Sequence, residues 1–463
     1  MSVVSVDDRE EILRAHYAST LMNVENVNQR EFYMRYRGHK RDYPHRHMSY
    51  PNLKFLRKSL VEKPPLHLYH STSYYIDPAY RDNTMGDAEE EVKCPSCDFM
   101  QDITLYGRNC RSCGTKVKDT SPMMRKGWLG ADLLFDIDFD HFPNVKSYEH
   151  GLEMVSDNAI RLIDDFLAND FKIPEESMSL RFSGHRGVHV LVSGDDYERM
   201  SKEERQPIED YILGTEVHAS GFLFTSMQGK SSTVKRDYQV YDAKEPGWGG
   251  RFTRTLNSML TMLNNAPSNE ERVNMLKEWA PRIKAGLFYR RPEWNKEPIP
   301  LKPKVVKAII TFATDEECMK GLNRDGRLSY WMGRSGATKS EIHKLVSIAV
   351  QKCQLDYGVQ IDRIVSDTTR QVRACNSIHS KKFLPCIEIE RQDLNNVENI
   401  FDKIADFIGT ETTTVKLNQP ATWGVTGEEF EAGLHELPRW KAHSVVFGSQ
   451  PLTKKEETAT IPQ

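Results

Sequence analysis

The stretch LLFDIDFDHF, residues 133–142, sets Asp136, Asp138 and Asp140 at every second position of an otherwise apolar run. Alternate side chains of a strand point the same way. The spacing therefore predicts a strand with Leu133, Phe135, Ile137 and Phe139 on one face and the carboxylates on the other. Like charges this close repel, and Asp is depleted in strands. A half-buried strand with a solvated acidic face is one reading. A site for divalent cations, which remove the repulsion, is the other.

Outward from this strand, EHGLEMVSDNAIRLIDDFLAND (149–170) has helical spacing, with Leu152, Val155, Ile160, Leu162, Ile163, Phe166 and Leu167 on its apolar face. SLRFSGHRGVHVLVSG (179–194) then reads as strand, tight turn, strand, punctuated by Gly184 and Gly187. Ser183, His185, Arg186 and His189 gather hydrogen-bond donors at that turn, a composition suited to a triphosphate, although an ordinary hairpin also fits. The segment VQIDRIVSD (359–367) reads as another strand and is followed by Arg370, Arg373, His379 and Lys381. FLPCIEIE (383–390) gives one more strand signal. Acids that hold divalent ions beside bases that hold phosphates are what nucleotidyl transfer requires.

Upstream, Cys94-x-x-Cys97 and Cys110-x-x-Cys113 are separated by twelve residues. Two Cys-x-x-Cys turns supply four thiolates to one tetrahedral zinc, and four protein ligands leave no open position, so the ion is expected to be structural. Eight Lys or Arg face one acid, Asp42, between Arg35 and Lys58, with Tyr36, Tyr43, Tyr50 and Phe55 interleaved. That texture suits nucleic acid or a solvated surface. A net charge of −3 over 463 residues argues against a non-specific nucleic-acid coat. Hydrophobic residues at 38% and charged residues at 28% are those of a globular chain. MSVVSVDDREEILRAH does not have the pattern of a signal peptide, and no apolar run nears the roughly 18 residues of a membrane span. An intracellular location and no membrane partner are expected.

Six stretches together resemble the small, catalytic subunit of archaeal and eukaryotic-type DNA primases, closest to the archaeal form. They are QREFYM (29–34), HRHMSY (45–50), LYHSTSYYIDP (68–78), GWLGADLLFDID (127–138), RFSGHRGVHVLV (181–192) and DRIVSDTTRQVRACNSIHSK (362–381). The resemblance implies that Asp136 and Asp138 are the metal-binding acid pair and Asp362 the third acid, holding two Mg²⁺ or Mn²⁺ ions. It implies that Ser183, Arg186 and His189 hold the incoming nucleotide's triphosphate, with Arg373 and His379 as later phosphate contacts and Arg46 at the same site. Asp140 stands outside the family's pair. Two departures are visible: the cysteines precede the acid pair, and the run from Asp362 to His379 is one residue short, which keeps Asp367 and Asp356 as alternatives for the third acid.

The implied fold is mixed α/β (α+β), a primase-type catalytic domain with a curved mixed sheet, an inserted zinc module and a helical insertion. The expected division is 1–80 and 125–194 as catalytic core, 81–124 as zinc module and 195–300 as helical insertion. Residues 301–417 complete the core, and 418–463 form a C-terminal extension and tail. The implied activity is synthesis of short RNA primers, with DNA as a second product, from NTPs or dNTPs on single-stranded DNA. The implied partner is a larger iron–sulfur subunit in a heterodimer, working at replication forks. A gap-filling polymerase of the same superfamily and a non-catalytic zinc-ribbon binder are the rival readings. A phosphatase using Asp-x-Asp is a weaker third.

Overall fold

The computed structural model describes residues 3–38, 42–80, 91–94, 96–97, 100–102, 109–115, 126–227, 234–279 and 301–451. Most of the expected zinc module, much of the Pro-rich break at 290–304 and the tail beyond 451 lie outside them. The chain is mixed α/β, and among the described residues no helix is long and apolar enough to cross a membrane.

The acid strand runs from Leu133 to Asp138 and stops there. Asp140 falls in a 3-10 turn, Phe139–His141, so the alternation does not extend to the third aspartate. The reason is packing. Phe139 swings onto Tyr148, ring centroids 5.5 Å apart, and over Gly151, where an added Cβ would sit 2.6 Å from the ring. Leu133, Phe135 and Ile137 enter the main core with Leu152 and Val155 of the helix Tyr148–Arg161, which Ser147 caps by accepting from the His150 amide at 3.1 Å. The opposite face is covered too. Leu134 packs with Leu191, Ile364 and Val372, so the acids emerge from an apolar floor rather than from a solvated edge.

A four-stranded antiparallel sheet is ordered Ile387–Glu388, Met178–Phe182, Gly187–Val192, Leu133–Asp138. Its register sets Gly187 opposite Asp138 and His189 opposite Asp136. A second four-stranded antiparallel sheet is ordered Gln371–Arg373, His67–Ser71, Phe32–Tyr36, Tyr43–Met48. The segment 359–367, expected as a strand, is instead a turn after the helix Lys339–Tyr357. Its amides bond individually: Asp362 N–H donates to the Asp136 carbonyl at 2.8 Å, and Val365 N–H to Glu209 at 3.1 Å. Among the described residues of 202–357 helices dominate, around a core that includes Phe252, Leu256 and Met259 of Gly247–Asn265 and Leu345 and Val346 of Lys339–Tyr357. Val4 donates to Thr414 and accepts from Lys416, both at 2.9 Å, which ties the N-terminal segment to the ribbon Thr412–Leu417/Gly433–Pro438.

Gly187 has no room for a side chain, because an added Cβ would lie 1.9 Å from Asp138 Oδ1 and 2.5 Å from the Ile137 carbonyl. Gly187→Ala is expected to destabilise the protein by about 1–3 kcal/mol and to displace Asp138. Gly333→Ala, on a helix with nothing within 4 Å, should instead stabilise by about 0.5–1 kcal/mol. Thermal unfolding of the two variants side by side checks both signs.

Candidate active site

Between the two sheets lies a pocket of about 220 Å³. The first sheet contributes Asp136, Asp138 and His189, and the turn between two of its strands Ser183, His185 and Arg186; the second sheet contributes Tyr69 and Arg373, and the segments flanking it add Arg370, His379 and Lys381. Acids and phosphate-type donors thus share one wall-to-wall space. Asp362 does not line this pocket, but its amide is bonded to the Asp136 carbonyl and its carboxylate meets His141 Nε2 at 2.8 Å. The two alternatives for the third acid are engaged elsewhere. Asp367 accepts from Thr369 N–H at 2.9 Å, and Asp356 pairs with Lys352 at 2.9 Å.

Burial, with Asp138 and Asp362 close by, pushes the Asp136 carboxyl well above the usual range. Asp138 is raised by burial as well, against the pull of Arg186. Arg186 reaches Asp138 Oδ2 with Nε at 3.4 Å and Asp140 Oδ2 with Nη2 at 2.5 Å. Asp140 therefore holds the arginine expected to meet triphosphate, a role that alternation alone did not suggest.

The donors are prearranged. Ser183 Oγ accepts from the Gly187 amide at 3.2 Å and closes the turn, where Gly184 adopts φ +76° under the Leu384 carbonyl. His379 Nδ1 accepts from the Lys381 amide at 3.1 Å, so a neutral ring carries its proton on Nε2 and offers it as a donor. His185 stacks on His379 at 4.5 Å, and burial holds His185 and His189 down at about 3, both neutral. Arg373 is fixed by Tyr69 Oη at 2.8 Å and by His67 Nδ1 at 3.3 Å.

Arg46 is not among the pocket's lining residues. It is half exposed on the strand Tyr43–Met48, its guanidinium 5.8 Å from the Tyr33 ring and 3.6 Å from Glu31. Tyr33 lies 5.5 Å from Tyr69, which carries Arg373 at 4.6 Å, so an aromatic row connects Arg46 with the pocket. Sequence reading passed over Tyr69 and His67. Their two-residue spacing in HLYHS, which sets both on one strand face, was the available signal.

The residues fit divalent ions at the acids. Among the described residues, no group hydrogen-bonds to the buried Asp136 Oδ1, with His189 Nε2 3.5 Å away, and carboxyls raised by burial and by one another are those a cation would relieve. The oxygens of Asp136, Asp138 and Asp362 do not converge as one tight triple; among the described residues the cysteine group alone does that. The Sγ atoms of Cys94, Cys97, Cys110 and Cys113 lie within 4.8 Å of one another, and two pairs are at 3.5 Å. A tetrahedral zinc with bonds of about 2.3 Å separates thiolates by roughly 3.8 Å. This group can bind zinc.

The sequence profile described as DNA primase small subunit matches residues 135–391, more than half of the chain. The chain belongs to the DNA primase small subunit family. It is the catalytic subunit type of a DNA primase, a primer-synthesising nucleotidyltransferase of a family that uses divalent metals. The family implies a DNA template and a partner large subunit. It is similar to the DNA primase small subunits of Methanocella arvoryzae, 24% identical over 85% of this chain and 84% of that protein, and Methanothrix thermoacetophila, 24% identical over 86% of each. A counterpart from Thermoplasma acidophilum is 27% identical over 50% of this chain and 55% of its own length.

A carboxyl whose folded-state proton affinity is raised destabilises the protein once pH exceeds the ordinary carboxylate value, and is neutral in effect below it. Asp136→Asn is therefore expected to stabilise the metal-free protein at pH 7 by about 1 kcal/mol. The gain should fade as pH falls toward about 4. Added Mn²⁺ should raise the melting temperature of the wild type alone. Differential scanning calorimetry at the two pH values, with and without Mn²⁺, measures each effect.

Proposed function

We propose that this protein is a DNA-directed RNA polymerase of the primase type. It joins NTPs opposite single-stranded DNA and then extends the product briefly, with dNTPs as a second substrate. The observation that carries the reading is the shared pocket, in which the acid pair Asp136/Asp138 faces Arg186, Arg373, His379 and Lys381. Asp136, Asp138 and Asp362 are the residues that would hold two Mg²⁺ or Mn²⁺ ions. Such ions, when bound, activate an attacking hydroxyl and neutralise charge on departing pyrophosphate.

The chain's own groups do the positioning. Arg186 and Arg373 are bidentate donors for phosphate oxygens, and His189 and His379 are neutral donors on either side. Ser183 shapes the turn that presents Arg186. Arg46 acts from the adjoining strand, through Tyr33 and Tyr69, rather than from the pocket wall. No protein base is required for hydroxyl activation in this scheme.

The four cysteines would hold a structural zinc in a module at 81–124. In the proposed division, residues 1–80, 125–194 and 301–417 form the catalytic unit, 195–300 the helical insertion and 418–463 the extension. The partner would be a larger iron–sulfur subunit in a heterodimer acting at replication forks within the cell.

Primer synthesis on single-stranded DNA with labelled NTPs and Mn²⁺ tests the reading. Wild type should give short products without any added primer. Asp136→Ala/Asp138→Ala should lose activity by roughly a hundredfold or more. Product made only from pre-annealed primers with dNTPs would instead make the protein a gap-filling polymerase. Equal product from both proteins would move the chemistry off this strand.

A further inference from the structure

The helix Lys202–Leu213 falls in the segment expected as an insertion, between the quoted motifs but inside the profile match 135–391. Ser201 and Glu204 start it with a reciprocal cap, at 2.7 and 3.3 Å, and Gly214 ends it in the left-handed region at φ +64°. Arg205 and Glu209, four residues apart, share one face of it. Both charged side chains are buried, at 0% and 1% exposure. Charged groups that deep require partners.

Their partners are backbone groups of the two acid-bearing segments. Arg205 donates to the carbonyls of Ala131 at 2.5 Å and Asp132 at 3.0 Å, immediately before the acid strand. It anchors itself on the Met200 and Glu198 carbonyls at 2.9 and 3.1 Å. Glu209 Oε2 accepts from the Val365 amide at 3.1 Å, and Oε1 lies 3.5 Å from Arg363. Arg363 also reaches Asp210 at 3.3 Å. These bonds fasten the turn that begins at Asp362. One turn of one helix thus grips the root of Asp136 and Asp138 at one end and the loop of Asp362 at the other.

We infer that this helix is a strut setting the position of Asp362 relative to the acid pair, and that Glu209 is a positioning residue for the metal site. The inference rests on the reading of Asp136, Asp138 and Asp362 as the metal-holding acids. Glu209 touches none of the reacting groups. It acts through the Asp362 turn, by accepting backbone donors that a turn of this kind otherwise leaves unpaired in the interior. With the carboxylate removed, the turn relaxes, and the third acid no longer meets the ions that the first two hold.

Outer partners of metal ligands change metal affinity by roughly 10–100-fold when mutated. The experiment compares full-length wild type, Glu209→Gln, Arg363→Gln and Asp362→Asn. Mn²⁺ binding without nucleotide is read from the free-ion electron paramagnetic resonance signal. Primer synthesis is titrated with Mn²⁺ at fixed NTP, and circular dichroism checks folding. Glu209→Gln should stay folded and need roughly tenfold more Mn²⁺ for half-saturation. Excess Mn²⁺ should restore its turnover, and its KM for NTP at saturating Mn²⁺ should stay within about twofold of wild type. Arg363→Gln, at a half-exposed position, should shift Mn²⁺ half-saturation in the same direction by a smaller factor.

Wild-type Mn²⁺ binding in folded Glu209→Gln overturns the inference. Should that variant fail to fold, unchanged Mn²⁺ half-saturation in Arg363→Gln overturns it instead. Asp362→Asn separates the two levels. If it binds Mn²⁺ as wild type does, the reading of the third acid fails, whatever the helix does. If it loses Mn²⁺ while Glu209→Gln keeps it, only the strut fails.

Discussion

Carboxylates in a low-dielectric site repel, and holding Asp136, Asp138 and Asp362 near one another is the constraint around which this protein is arranged. Left to relax, such groups move apart or take up protons. Here they are held by backbone bonds rather than by side-chain contacts among themselves. Asp138 is fixed by a strand pair in which its partner has no Cβ. Asp362 is fixed by its own amide on the Asp136 carbonyl. The guanidinium of Arg186 on Asp138 lowers the repulsion, and the His141 ring meets the Asp362 carboxylate at 2.8 Å.

The same device recurs one layer out. Arg30 pairs with Asp132 at 2.8 Å and donates to the Ser71 and Thr72 carbonyls, joining the root of the acid strand to the second sheet. Lys126 meets Glu31 at 2.6 Å and the Pro78 carbonyl at 2.7 Å. Glu31 in turn accepts from the His47 amide at 3.2 Å, next to Arg46. His47 adopts φ +60°, a conformation an L-residue takes only when its surroundings impose it. Each pair is buried, and each also bonds to main-chain groups, those of Ser71, Thr72, Pro78 and His47.

What the sequence displays and what it hides divide along sequence separation. The acid strand, the glycine-punctuated turn and the Cys-x-x-Cys pairs are local patterns, and each shows in a dozen residues. Period-two alternation carried the strand reading two residues too far, because it cannot register that Phe139 turns to cover Gly151. In VQIDRIVSD, β-branched residues imitate a strand, yet Ile364 sits in an apolar floor with Leu134, and the amides bond outward one at a time. Arg205 and Glu209 were silent. In EERQPIEDY they sit among charges that a helix ordinarily shows to water, and only the fold turns that face inward.

A pattern of buried ions serving main-chain groups also bears on why the site is not built from apolar packing. Replacing a buried ion pair by well-fitted apolar residues is often neutral or stabilising, so such pairs are poor evidence of stability gained. Apolar contacts, however, are non-directional, and a turn held by them alone can settle at several depths. A carboxylate that accepts an amide defines both distance and direction. For the proposed metal site, two segments more than two hundred residues apart have to present acids in register, and the 131–138 and 362–366 segments share no continuous strand ladder. Directional bonds from a third element supply that register. The helix between the two segments in sequence also joins them in space, which makes its buried polar face part of the architecture of the proposed active site.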